Sequence, residues 1–309
     1  MIKAYRIKHL SPITRIRSFT LFGAFCWNYR FIHGKKKLQE FLEEFRQTPK
    51  FLISSPFPIV EEKPLFPAPS IKTENEKVNI IQKLKRKPFK KAKFTTLEVL
   101  KDLKNGEIKT YNDLVNKCSV RKGILVKSNE EVSELKQQQM LFLRNSLHRI
   151  TMKSERLFTE TASLLKESYF IVKFIDEKFL SEFEIILKLM EENGLGGNKN
   201  IGWGKIKIEE FNIDTKIFEG NGRRFITLSP VIPTENIDIE RSLYELETFK
   251  SFTDATFSRE IIKKKVFYLA EGSLIVKKEN NKFAGILKNV GFSENIYQYG
   301  YEFPIFLEW

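Results

Sequence analysis

Residues 2–8, Ile2-Lys3-Ala4-Tyr5-Arg6-Ile7-Lys8, alternate apolar and polar positions, the period of a half-buried strand. Ser11-Pro12 breaks that period. A helix is predicted to start near Ser18 or Thr20, either of which suits a cap, and to stop near Gly34. A second helix over 36–45 places Leu38, Phe41, Leu42 and Phe45 on one buried stripe. Residues 51–54 read as a short strand, and the five prolines between 56 and 69 predict irregular chain. The stretch 70–140 is the most polar, so 56–165 is expected to be a long, partly mobile insertion.

Regular patterning returns at 169–174, a strand, and at 178–192, a helix with Phe179, Phe183, Ile186, Leu187 and Met190 on one face. Asn193-Gly194 ends it as a left-handed cap would, and 205–209 is again a strand. Without the insertion the order is strand, helix, strand, strand, helix, strand. That is a split βαβ pattern of the ferredoxin-like or RNA-recognition-motif type. Farther on, 224–228 reads as a strand, and 265–269 with 273–276 as a hairpin around Glu271-Gly272. The fold class expected is α+β, with two ferredoxin-like (βαββαβ) domains over 1–210 and 211–309.

Composition adds a partner class. The 309 residues carry 53 Lys+Arg against 39 Asp+Glu, a net charge of 53 − 39 = +14, which points to a polyanion. Hydrophobic content of 41%, with 28 Phe, is too high for a disordered basic tail. No run of about 18 apolar residues suggests a membrane span, and the N-terminus does not read as a signal peptide. The two cysteines, Cys26 and Cys118, fit neither a disulfide framework nor zinc spacing, so a reducing cytoplasm is expected. No cofactor and no metal are expected.

The strongest local signal is a loop with five glycines in the eleven residues 194–204. Glycines permit positive φ and close backbone approach to a ligand. With Lys199 and Lys205 beside them, the N–H groups of Gly196, Gly197, Gly202 and Gly204 are candidates for a phosphate cradle. The loop follows a helix and opens a strand, the reverse of a mononucleotide-binding loop. Trp203, between two glycines, suits either base stacking or anchoring. A second donor-rich cluster, Arg144-Asn145-Ser146-Leu147-His148-Arg149-Ile150-Thr151, suits phosphate and ribose. On a helix, Asn145 and Arg149 would share a face, as would Arg144 and His148. Arg15, Arg17 and Ser18, just ahead of the first helix, offer an anion site at its positive end. The run Lys85–Lys93 would give salt-sensitive, sequence-independent affinity at most. Phe22, Phe25, Trp27 and Tyr29 read as core.

The loop from Gly194 to Lys205 resembles the glycine-rich loop of the RAMP superfamily of CRISPR proteins. Leu10-Ser11-Pro12 with Thr20-Leu21-Phe22-Gly23-Ala24-Phe25-Cys26-Trp27, the cluster at 144–151 with Leu157-Phe158, and Tyr297-Gln298-Tyr299-Gly300-Tyr301 with Pro304 are similar to segments of one member type. That type is the type III-A (Csm-type) subunit capping the crRNA 5′ end. The resemblance covers both expected domains. It implies binding of the crRNA 5′ handle, docking to the large polymerase/nuclease subunit, and contact with a neighbouring backbone RAMP subunit. It also implies a thumb-like projection from the insertion and no RNase activity. The RNA-contacting set expected is Arg15, Arg17, Ser18, Asn145, Ser146, His148, Arg149, Gly196, Gly197, Lys199, Gly202, Trp203, Gly204 and Lys205.

Two alternatives stand beside this reading. One is a crRNA-processing endoribonuclease of the same superfamily, with His148 as its candidate acid–base; neither it nor His9 nor His33 adjoins an obvious partner base. The other is a scaffold whose charge serves solubility.

Overall fold

The computed structural model describes residues 1–71, 87–253, 262–292 and 295–309. Its centre is a six-stranded antiparallel sheet in the order β12-β1-β11-β3-β4, with β2 also paired to β11. These strands are β1 (Ile2–His9), β2 (Phe51–Ile53), β3 (Phe57–Val60), β4 (Lys63–Pro64), β11 (Glu167–Phe174) and β12 (Ile206–Phe211). Helices α1 (Ser18–Gln47) and α4 (Leu180–Asn193) supply the two crossings. The expected strand and helix order of the first 210 residues is therefore present.

Alternation along β11 sends Phe170, Val172 and Phe174 to one face and Tyr169 and Ile171 to the other, and all five are buried. The first face packs on the helices: Phe183 of α4 lies 5.3 Å from Phe174, 5.2 Å from Phe25 and 4.9 Å from Phe51, ring centre to ring centre. On the second face Tyr169 meets Phe57, Phe66 and Phe211, and its hydroxyl donates to the Leu65 carbonyl at 2.8 Å. Both faces of this strand are covered, so its surface offers no open platform for stacking bases.

Helix α1 runs through both expected helices, and Gly34, with φ 82° and ψ 172°, makes the kink between them. Its cap differs from expectation. Arg17 is the N-cap, Ser18 is the first helical residue, and the Thr20 hydroxyl accepts the Arg17 N–H at 3.3 Å. At the end of α4, Gly194 has φ 73° but ψ 170°, an extended turn and not a left-handed helical cap.

The described residues of the excursion 56–165 hold more regular structure than their polarity suggested, in three parts. Residues 57–64 extend the central sheet, with Pro58 at its short β3 pairing. A small packed unit follows, with helices α2 (Leu97–Lys104) and α3 (Tyr111–Lys117). Its sheet holds β5 (Phe66–Pro67), β6 (Phe94–Thr95), β7 (Cys118–Arg121) and β8 (Ile124–Lys127), in the order β5-β6-β8-β7. Val99, Leu100, Leu103, Ile108 and Leu114 give it an interior despite its charge. The third part is a long two-stranded ribbon, β9 (Gln137–Leu147) against β10 (Ser154–Leu165). Of the basic run, Lys85 and Arg86 lie outside the described residues.

From residue 212 the described chain holds short strands and no α-helix. β13 (Arg224–Thr227) pairs with β16 (Leu274–Val276) and β19 (Pro304–Phe306). β14 (Leu246–Phe249) pairs with β15 (Val266–Leu269). The expected hairpin 265–269/273–276 is thus corrected. Both strands exist, but each leaves Gly272 for a different ladder.

One buried cluster runs from β1 and α1 through Tyr268, Tyr299 and Phe303. The Tyr299 hydroxyl accepts the Ile53 N–H at 2.9 Å, and Ser55 N–H donates to the Leu228 carbonyl at 2.9 Å. Among the described residues no helix is long and apolar enough to cross a membrane.

Candidate nucleic-acid interface

The glycine-rich loop closes on itself and on the chain before α1. Leu195 N–H donates to the Gly204 carbonyl at 2.9 Å, Gly204 N–H to the Pro12 carbonyl at 2.9 Å, and Gly202 N–H to the Lys199 carbonyl at 3.0 Å. Gly197 N–H donates to the Thr14 hydroxyl at 3.1 Å, and Lys205 N–H to the Ser11 hydroxyl at 2.9 Å. A Cβ on Gly204 would fall onto the Leu195 carbonyl oxygen, and one on Gly196 would stand 2.6 Å from the Thr14 hydroxyl. These glycines let two chain segments touch. The N–H groups of Gly197, Gly202 and Gly204 serve that closure, not an outward anion cradle.

What the closure builds is one wall of a groove of about 1110 Å³. Gly196, Gly197, Asn198, Lys199 and Asn200 form that wall; residues of α1 and, from the C-terminal chain, Ser251, Lys263 and Tyr297 complete the lining. Five cations line it, Arg15, Arg30, Lys35, Lys199 and Lys263, and no Asp or Glu is among its described lining residues. Trp27 also faces it, with the Arg30 guanidinium 5.3 Å from the Trp27 ring centre. Burial lowers the pKa of Lys263, and it pushes the Cys26 thiol beside it up. An anion entering the groove would favour the charged form of that lysine and oppose this shift. The arrangement suits a single-stranded polyanion with at least one base to stack.

The other expected residues divide between a projecting ribbon and the interior. Arg144–Thr151 is not helical. Asn145 and Ser146 end β9, and 148–152 form the ribbon tip, so the expected i,i+4 faces do not exist. An eleven-pair ladder with 154–165 decides the conformation over local preference. Asn145 accepts from the Ser154 hydroxyl at 2.8 Å. His148 Nδ1 accepts the Thr151 N–H at 3.1 Å, which makes it a turn-forming side chain. Arg149 is exposed in the tip turn, beyond the strand end at Leu147, which lies about 10 Å of strand past Arg144.

About midway along its length the ribbon leans on the glycine loop. Trp203 is buried, 5.0 Å from the Phe142 ring and under the Arg144 guanidinium at 5.3 Å. Asn198 donates to Glu160 at 3.0 Å, and Glu160 also pairs with Arg144. Trp203 is therefore an anchor and not a stacking platform.

Arg17 and Ser18 are corrected as well. Arg17 is 7% exposed and holds Glu247 and Glu271 from the C-terminal strands, the latter at 3.1 Å; Ser18 is fully buried. Their local sequence gave no sign of carboxylates more than two hundred residues away. Gly202 and Lys205 are exposed but do not line the groove. Of the expected set, the groove brings together Arg15, Gly196, Gly197 and Lys199. Sequence reasoning missed Arg30, Lys35 and Lys263, which sit in no motif, and assigned Trp27 to the core. A Trp-x-x-Arg spacing on α1 was the one available signal, since it puts both side chains on one helix face.

Among the described residues no cluster of three His, Cys, Asp or Glu is placed to hold a metal. None of the three histidines lines the groove: His9 is tucked against Ser168, and His33 pairs with Glu182 at 2.7 Å.

Residues 220–307 match the family model of the CRISPR Csm4 C-terminal domain. The Csm-type resemblance holds. Over most of its length the chain is similar to the CRISPR system Cms protein Csm4 of Methanocaldococcus jannaschii, 24% identical over 313 residues, covering 88% of this chain and 81% of that one. The fold is similar to that of a chain in a crystal structure of the Csm3-Csm4 subcomplex in the type III-A CRISPR-Cas interference complex. That match has a TM-score of 0.64 at 18% identity, with 97% of each chain covered. A Csm1-Csm4 cassette in complex with cA4 gives 0.61 at 20% identity, covering 100% of this chain and 98% of the other. The matched residues 220–307 include Ser251, Lys263 and Tyr297, which line the groove together with the glycine loop.

Proposed function

We propose that this chain is a non-catalytic RNA-binding subunit of a type III-A CRISPR interference complex, and that the groove holds the crRNA 5′ handle. The carrying observation is the set of five cations, with no carboxylate among the described lining residues, in one groove beside Trp27 and the glycine loop. Arg30, Lys35, Lys199, Lys263 and Arg15 would neutralise phosphates, and Trp27 would stack a base. Arg149 and Lys205 would extend the contact beyond the groove.

The similar solved structures pair Csm4 with Csm3 and with Csm1. On that ground the chain would seat the large catalytic subunit and adjoin a backbone RAMP subunit in the cytoplasm. In this reading residues 1–210 are a ferredoxin-like unit, because the strand order and the two helices fit one. Residues 211–309 are a smaller counterpart reduced to strands.

The endoribonuclease alternative is less well supported. RNA cleavage needs an acid–base group at the bound strand, and the groove presents lysine, arginine and amides but no histidine.

The test is equilibrium binding of handle-bearing RNA to the wild-type protein and to a Lys199→Gln/Lys263→Gln variant. The variant should bind at least 10-fold more weakly. The wild-type log–log salt slope should be about −3, at about −0.7 per phosphate contact for four to five contacts. Equal binding by the two proteins, or a flat salt response, removes the groove from the account.

A further inference from the structure

The packed unit inside the excursion carries a second concentration of positive charge that the groove does not use. We propose that its edge, formed by Lys87, Lys90, Lys91, Lys93 and Lys122, is a sequence-independent contact surface for the phosphate backbone of RNA continuing beyond the groove-bound segment. This rests on the handle-binding reading of the groove.

Three observations carry it. The first is placement. β6 and β8 pair in parallel with Phe94 level with Ile124, which brings Lys93 beside Gly123. Lys122 and Gly123, with φ of 52° and 80°, form the two-residue turn between β7 and β8. The helical turn through 87–91 leads directly into this strand end, so two segments over thirty residues apart present lysines at one place. All five are exposed.

The second is lack of compensation. Residues 87–95 and 121–125 contain no Asp or Glu. Carboxylates of the unit are engaged elsewhere: Asp102 holds Lys127 at 2.8 Å, Glu98 holds Lys101 at 3.2 Å, Glu107 lies 3.6 Å from Lys117, Glu130 accepts from Thr96 at 2.7 Å, and Asp113 caps α3. Among the described residues no ion pair is formed by these five lysines.

The third is rigidity without base readout. Phe89, the one aromatic residue of 87–93, turns inward against Tyr111, ring centres 6.4 Å apart. That pins the lysine-bearing turn to the unit and leaves the edge with ammonium groups only. Lysine acts on phosphate as a point charge and carries no sequence information.

The experiment uses the full chain and two RNAs, one carrying only the handle and one continuing past it with arbitrary sequence. A variant with Lys87, Lys90, Lys91, Lys93 and Lys122 all changed to Gln should melt like wild type. It should bind the short RNA unchanged and the long RNA about 10-fold more weakly, with a log–log salt slope shallower by about 2–3. Scrambling the continuation should change nothing. Unchanged affinity and slope for the long RNA overturn the proposal. So does a variant that keeps long-RNA binding but no longer assembles with a neighbouring protein subunit, since the edge would then be a protein-docking surface. If the wild type does not bind the short RNA, the groove reading fails alone. An RNA of arbitrary sequence without the handle then reads the edge directly, and equal binding by wild type and variant overturns it.

Discussion

Gly204 shows at residue scale why a motif can be right in place and wrong in role. Its φ is 73°, and any side chain there would collide with the Leu195 carbonyl. Gly204→Ala should therefore cost at least about 2 kcal/mol of stability, read as a lower urea midpoint, because the strain and the collision act together. The glycine pattern was legible from the sequence, but the partner of the close approach, another segment of chain, was not.

His9 yields the pH prediction. Burial pushes its pKa down to about 4, and its Nδ1 has no hydrogen-bond partner among the described residues. The unfolded chain, with His near 6.5, binds more protons between these values, so stability should fall as pH drops from about 6.5 towards 4 and level off above about 7. The expected loss is roughly 3 kcal/mol. Glu247 adds a second decline. Burial works to raise its pKa, but the hydrogen bond and charge of Arg17 prevail and hold it below the usual range. Its contribution is present above the unfolded carboxylate pKa and is lost as pH falls through the lower folded value. Thermal melts from pH 8 to 3 check both, and His9→Gln should remove the upper decline only.

At the scale of elements, what could be read ahead was what obeys a period. β1, α1, β11 and α4 each bury a regular stripe, and each appears within a few residues of its expected place. The ribbon did not announce itself. Residues 137–147 lie against 154–165 with most side chains exposed on both faces, so there is no buried stripe to read. The small unit of α2 and α3 hid behind its charge, because a few apolar residues suffice for its interior.

The ribbon is held near its middle by Trp203, which the sequence left undecided between ligand and core. Trp203→Ala should cost about 3–5 kcal/mol, as large buried truncations do. Hydrogen exchange of the β9 and β10 amides should accelerate more than that of β1 and β11. A uniform acceleration through the whole sheet would mean that Trp203 supports the global core and not the ribbon.

For the whole molecule, the net charge of +14 resolves into separate places. Some cations are structural, such as Arg17 between Glu247 and Glu271. Others gather on the edge of the small unit. The informative group lies in the groove, where Arg30 and Lys35 from α1, Lys199 from the glycine loop and Lys263 from the C-terminal strands converge. Such a site is invisible to motif reading because each member is an ordinary lysine or arginine in its own segment. It forms only when the C-terminal chain folds back over α1, as the shared core from Phe22 to Tyr299 requires.

The most direct measurement is photocrosslinking of a handle-bearing crRNA to the full chain, with the modified peptides identified by mass spectrometry. The account predicts adducts on peptides containing Trp27, Lys199 and Lys263, lost when an excess of unlabelled handle RNA competes. Adducts confined to the ribbon tip around Arg149, with the groove peptides unmodified, would contradict it.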